Sequence, residues 1–137
     1  MAAKKKDLGS GKPRHAKLDV KPGQSVALVG RVEIGNDLKL LAAKKVADVA
    51  AADWIFVAID DVMKLGTIGD VRLQMQDEAG IWAVWPKGVP KVVNEENIRQ
   101  TALALDLVDV KVMSWSSTHS GLKLVVRKEL RGKKKAT

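Results

Sequence analysis

The chain of 137 residues has no cysteine, one phenylalanine, four prolines and two histidines. Without cysteine there can be no disulfide, no thiolate zinc site and no thiol nucleophile. Long apolar runs are missing too. Stretches such as Trp54-Ile55-Phe56-Val57-Ala58-Ile59 fall far short of the roughly 20 residues that span a bilayer. Lys4, Lys5 and Lys6 resemble the start of a signal peptide, but no apolar segment follows them. The expectation is a cytoplasmic protein with no membrane partner. A chain of this length buries roughly two-thirds of its unfolded surface, so it needs neither metal nor disulfide to fold.

Positive charge is abundant, and its location decides its meaning. The formal net charge is +8. Residues 1–17 and residues 127–137 each carry a balance of +5, which leaves 18–126 at −2. A folded nucleic-acid reader shows its basic footprint on a face or groove, whereas this one would sit on the ends. We therefore expect a disordered basic tail over 1–17, a single α/β domain over 18–127 and a second disordered basic tail over 128–137. Lys4, Lys5, Lys6, Lys133, Lys134 and Lys135 are the candidate contacts for weak, sequence-independent polyanion binding through counterion release.

Between the tails, strands and helices alternate. Pro22-Gly23 turns into a buried strand over 25–29. Asn36 or Asp37 can cap a helix carrying Leu38, Leu41 and Ala42 at i, i+3, i+4 spacing. Residues 44–52 are ambiguous between helix and short strand. Trp54–Ile59 is apolar on both faces, the pattern of a central strand. A helix is predicted over about 69–78, with Ile68, Val71 and Met75 on one face and Ala79-Gly80 ending it. Ile81–Trp85 is a second two-faced strand, stopped by Pro86. Trp82 and Trp85 point to opposite faces there. Core packing explains both, with base stacking or a homodimer contact as alternatives.

Asn94 caps a predicted helix over about 95–105, with Glu95 and Glu96 in its first turn and Ile98, Ala102 and Leu105 inward. Val108, Val110 and Val112 alternate with polar residues, as do Leu122, Leu124 and Val126. A turn near 116–121 makes the two strands an antiparallel hairpin, placed near one edge of the sheet. The order implies a three-layer, Rossmann-like α/β fold, with a mainly parallel sheet and a C-terminal antiparallel hairpin.

Three segments carry a resemblance. They are Trp82-Ala83-Val84-Trp85-Pro86-Lys87, the run Ala102-Leu103-Ala104-Leu105-Asp106-Leu107-Val108-Asp109-Val110-Lys111-Val112, and Ser120-Gly121-Leu122-Lys123-Leu124-Val125. Over about 24–127 the chain resembles a bacterial family of small proteins of unknown function with a truncated layout of Rossmann-like S-adenosylmethionine methyltransferases. Where that family tends to have Trp-Ser-Gly-Leu, this chain has His119 before Ser120. In the methyltransferases the cofactor sits over a glycine-rich turn after the first strand and an acidic residue ending the second. Here Val29-Gly30-Arg31-Val32-Glu33-Ile34-Gly35 lacks G-x-G-x-x-G spacing, so the resemblance implies the scaffold without its cofactor turn. No cofactor is expected.

Few residues are candidates for chemistry. Gly9-Ser10-Gly11-Lys12 lacks both the preceding strand and the following Ser or Thr of a phosphate loop. His15 falls in the expected tail, and His119 reads as a turn residue without a nucleophile elbow. Arg31, Asp60, Asp61 and Lys87 each follow a predicted parallel strand and would gather at the carboxyl edge of the sheet, where α/β proteins bind ligands. Their mixed charges could hold a polar ligand or Mg²⁺ there. The plainer alternative has Asp60 and Asp61 capping a helix and Lys87 solvated. No metal ligand set is evident. With no catalytic residue in view, the expected function is a non-enzymatic Rossmann-like interaction domain with an unidentified protein partner. The alternatives are polyanion binding through the tails, and a degenerate methyltransferase-like small-molecule site at the strand-end edge.

Overall fold

The structure, a computed structural model, describes residues 5–7 (backbone only), 12–88 and 93–130. Among the described residues seven strands form one sheet: β1 (Lys5–Asp7), β2 (Ser25–Val29), β3 (Lys44–Lys45), β4 (Trp54–Ala58), β5 (Gly80–Pro86), β6 (Leu107–Ser114) and β7 (His119–Val126). The helices are α1 (Arg14–Lys17), α2 (Gly35–Leu40), α3 (Gly66–Gln74) and α4 (Glu95–Leu103). The strand order is β1-β6-β7-β5-β4-β2-β3. Every pairing is parallel except those of β7, which runs antiparallel to both β5 and β6. This is the expected Rossmann-like α/β architecture. The hairpin differs in one respect: β7 lies inside the sheet, between β5 and β6, and not at an edge.

Strand register sorts the side chains into two cores. Ile55 lies opposite Ile81, and Ile81 opposite Leu124. These join an aliphatic cluster with Ile68 and Val71 of α3 and Ile98 and Ala102 of α4. One residue along, Phe56 lies opposite Trp82, and both face the other way. There they meet Trp115, Leu18, Ile34 and Leu38. Trp82 and Trp85 are both buried, one in each core. Core packing therefore accounts for the pair.

Several local expectations change. Residues 1–17 are not a featureless tail, since Lys5–Asp7 pairs in parallel with Lys111–Met113 and Arg14–Lys17 forms α1. A helix this short cannot stand alone. Its Arg14 is held by Asp37, and Leu18, immediately after it, is fully buried. Asp37 consequently sits inside α2 as Arg14's partner, and neither Asn36 nor Asp37 caps that helix. At the other end, Lys128–Leu130 is a 3₁₀ turn whose Leu130 packs on the aliphatic core. The ambiguous stretch 44–52 divides into β3 and a 3₁₀ turn over Val49–Ala51, capped by Asp48.

Helix α3 begins and ends earlier than predicted, at Gly66 and Gln74. Gly80 is not its terminating glycine but the first residue of β5. A Cβ there would lie 2.5 Å from the Trp54 ring, so a side chain at this position would force the ring to move. Helix α4 follows its predicted start, because Asn94 and Asn97 exchange side-chain and backbone hydrogen bonds in a capping box. Of the six candidate tail lysines, Lys4, Lys133, Lys134 and Lys135 lie outside the described residues, and Lys5 and Lys6 are strand residues of β1. No helix among the described residues is long and apolar enough to cross a membrane.

Candidate functional site

The parallel strands end together, and a cleft of about 210 Å³ opens at their carboxyl edge. Its first wall comes from the tips of β2 and β4. Gly30 follows β2 with φ +83°, and a Cβ there would approach Ala58 Cβ to 3.0 Å. Only glycine turns here without strain, and the turn brings the two strand tips against each other. It delivers Arg31 and Glu33 to the cleft beside Asp60 from the end of β4. All three are exposed, and none of their side chains enters a hydrogen bond or ion pair among the described residues.

The second wall is the β6–β7 turn, with Trp115, Ser116, Thr118 and His119. Lys87, at the end of β5, fixes this turn by donating from Nζ to Ser114 Oγ (2.6 Å) and to the Ser116 carbonyl (2.7 Å). Arg14 ties this turn to α2. Its Nε and Nη2 donate to the two Asp37 oxygens (2.9 and 2.7 Å), its Nη1 donates to the Trp115 carbonyl (3.2 Å), and its guanidinium lies 5.3 Å from the Trp115 ring centroid. Trp115 also packs edge-on against Phe56 and tilted against Trp82. Its Nε1 is the one buried side-chain nitrogen or oxygen without a hydrogen-bond partner among the described residues.

Beyond the Gly30–Gly35 segment lies a shallower cleft of about 500 Å³. Leu28, Val32, Ile34 and Leu38 line it, with Glu33, Lys39 and Lys45 at its polar side. Val32 and Glu33 belong to both clefts. The acidic residue nearest the end of β3 is Asp48, whose side chain already accepts from the Ala50 N–H.

Of the four candidates from sequence, the structure brings together Arg31 and Asp60. Asp61 accepts from the Met63 N–H (2.8 Å) and caps the 3₁₀ turn Val62–Leu65. Lys87 lines a separate cleft of about 320 Å³ with Trp85 and Asn94. Its ammonium is bonded and not simply solvated. Sequence reasoning missed Arg14, Glu33, Trp115 and the hydroxyls of Ser116 and Thr118. The signals were faint: Arg14 lay in an apparent tail, and the β6–β7 turn is one residue type after another of ordinary loop chemistry. His119 is the first residue of β7 and a cleft residue, where a mid-turn position was expected. No group of metal-ligating side chains forms among the described residues.

No protein-family model matches the chain, and no curated protein matches it. Solved structures do match. A methyltransferase dependent on S-adenosylmethionine from Aquifex aeolicus is 14% identical and has a TM-score of 0.60, covering 81% of this chain and 87% of that one. A TehB-like methyltransferase of the same dependence from Corynebacterium glutamicum is 12% identical with a TM-score of 0.59, covering 83% and 86%. A tRNA methyltransferase from B. subtilis is 8% identical with a TM-score of 0.57, covering 82% and 63%. At these identities the likeness speaks for the fold, which is a methyltransferase-like layout. It also corrects two expectations. The solved structures it matches here are methyltransferases, and this is the finding against the expected non-enzymatic interaction domain and against the leaning away from an enzyme.

Proposed function

We propose that this protein is a methyltransferase-type enzyme that binds S-adenosylmethionine at the carboxyl edge of β2, β3 and β4. One observation carries the reading. A sheet of this order, with a single antiparallel strand between β5 and β6, presents three unpaired charges in a cleft at its strand tips. Open α/β sheets bind their ligands at that edge.

The donor set fits the group. S-adenosylmethionine has an amino-acid head of both charges, a ribose diol and a flat adenine. Arg31 supplies a fork for the carboxylate, and Asp60 a carboxylate for the ammonium. Glu33 borders both clefts and suits the diol, while Leu28, Val32 and Leu38 offer the apolar wall that a purine needs. The turn after β2 departs from the glycine-rich pattern, with Arg31-Val32-Glu33 reaching the ligand through side chains in place of bare backbone. When bound, the cofactor supplies an electrophilic methyl group on a sulfonium. The residues of this chain hold and orient it and line the space in which an acceptor would sit.

Calorimetry with S-adenosylhomocysteine on the full chain tests the proposal, with a thermal melt alongside. Binding should be saturable, and a hundredfold excess over Kd should stabilise the fold by about 2.7 kcal/mol. Asp60→Ala should weaken binding about tenfold with the melting temperature of the free protein unchanged. Absence of binding at millimolar ligand, or binding indifferent to both Asp60→Ala and Arg31→Gln, would overturn it.

A further inference from the structure

Charge in the folded part is sorted by face, and its small net value conceals this. Residues 12–45 carry eight Lys and Arg against three Asp and Glu, a balance of +5, whereas 46–106 carry five against ten, a balance of −5. The first stretch contains α1 and α2, on the side of the aromatic core, and the second contains α3 and α4, on the side of the aliphatic one. On the aromatic side Arg14 is matched by Asp37. Asp19 is shared by Lys111 (3.8 Å) and Lys123 (2.8 Å), so that trio keeps one positive charge. Lys17 of α1, Lys21 in the turn before β2, Lys39 of α2 and Lys45 of β3 have no side-chain hydrogen bond or ion pair among the described residues. Lys45 lies opposite Val26, a residue of the aromatic core, and therefore shares its face. On the aliphatic side Arg72 and Arg99 are already matched by Asp77 and Glu96, while Asp70 of α3 is exposed.

We propose that the outer surface of α1, α2 and β3 is a docking surface for the phosphate backbone of a nucleic-acid duplex. Composition places polyanion contact at the chain ends, and the fold adds a face that belongs to the domain itself. The inference stands apart from the methyltransferase reading, since Lys17 and Lys21 line none of the clefts described above. A duplex presents one negative charge per roughly 1.7 Å of its axis, and unpaired ammonium groups meet such an array as point charges, releasing its counterions. Bases are not read. All four tryptophans and Phe56 are buried, so no such ring is free to stack on one, and binding is indifferent to sequence. A membrane surface fits less well, because a helix lying in it needs an apolar stripe. Of the exposed large hydrophobic residues, Leu40 alone falls within 12–45. The acidic side of a second copy would complement this face too, but a net charge of +8 makes copies repel one another and draws the chain to a polyanion.

Fluorescence anisotropy of a labelled DNA duplex of about 20 base pairs, read across a salt series with the full chain, tests this. Two double variants remove equal charge. One is Lys21→Gln with Lys39→Gln on the basic face, and the other is Lys64→Gln with Arg99→Gln on the stretch that carries α3 and α4. The first should weaken duplex binding roughly tenfold in about 50 mM salt and reduce the slope of log K against log salt by about 2. Lys21→Gln alone should reduce that slope by about 1. The second double variant should leave both quantities unchanged, and thermal melts should show each variant folded. A duplex of scrambled sequence should bind as the first one does, and a single strand of the same length more weakly. No binding in about 50 mM salt, equal effects of the two double variants, or tighter binding of the single strand would each overturn the proposal. Phosphatidylserine vesicles bound more tightly than the duplex would assign the face to a membrane and overturn it as well. Self-association of the protein alone, abolished by Lys21→Gln with Lys39→Gln, would assign the face to a second copy with the same consequence.

Discussion

The two faces of the sheet are built by different means. One is covered by two nine-residue helices, α3 and α4, and filled with Ile, Val and Leu, where non-directional burial does the holding. The other is covered by α1 and α2, of four and six residues, over Phe56, Trp82 and Trp115. Helices that short bury too little to stay by burial alone, and directional bonds hold the layer instead. Trp82 Nε1 donates to the Leu18 carbonyl (3.0 Å), Lys111 Nζ to the Lys17 carbonyl (2.7 Å) and Lys123 Nζ to Asp19 (2.8 Å), while Arg14 grips Asp37. The strand-end cleft includes Arg14 and Trp115 from this second layer. The thick face stabilises, and the thin face leaves room for a site.

The contrast predicts unequal responses to substitution. Ile98→Ala, on the aliphatic face, should cost the most, about 4 kcal/mol in urea unfolding, while leaving S-adenosylhomocysteine affinity unchanged. A loss below about 2 kcal/mol would mean that this face is not the main support. On the aromatic face, Trp82→Phe should exceed Trp115→Phe by about 1–2 kcal/mol. The first strands the Leu18 carbonyl, whereas the second removes an N–H that has no partner. Equal costs would break that distinction.

Arg14→Gln should cost about 1 kcal/mol, since the pair with Asp37 is only partly shielded from water. The same variant should make Trp115 fluorescence more open to acrylamide quenching. Arg99→Gln, on the outer surface of α4, should change stability by less than the error of the measurement. The hydrogen bond with Glu96 raises the Arg99 pKa above its ordinary value. A raised pKa adds stability that fades only as pH climbs past the usual arginine range, so stability should show no pH dependence tied to this residue in neutral solution, where Glu96 is ionised as well. A pH-dependent difference between Arg99→Gln and the parent between about pH 6 and pH 9 would contradict that.

The thick face was legible in the sequence and the thin one was not, for a physical reason. Period-two and period-3.6 patterns report burial, so β4, β5, α4 and the β6–β7 hairpin declared themselves through Ile55, Ile81, Ile98 and Leu124. The thin layer is fastened by partners far apart in the chain. Nothing near Arg14 in sequence announces Asp37 or Trp115, and Leu18 stands between two charged residues, Lys17 and Asp19. The site divided along the same line. Arg31 and Asp60 follow from strand ends, which can be counted. Glu33 became visible only once Gly30 had set the direction of its turn. His119 required the register of β7, which begins at 119 because its backbone pairs with Pro86.

The place of β7 also bears on the order in which the chain can assemble during synthesis. Translation delivers β1 first and β7 last of the seven strands, yet β1 pairs only with β6, and β6 reaches β5 only through β7. A nascent chain that has emerged through β6 can assemble β3, β2, β4 and β5, but it has no interior position to offer β6 or β1. The N-terminal strand must therefore wait for the last strand before it can dock. A ribosome stalled before residue 119 should hold a half-sheet whose β5 edge is open to any passing strand.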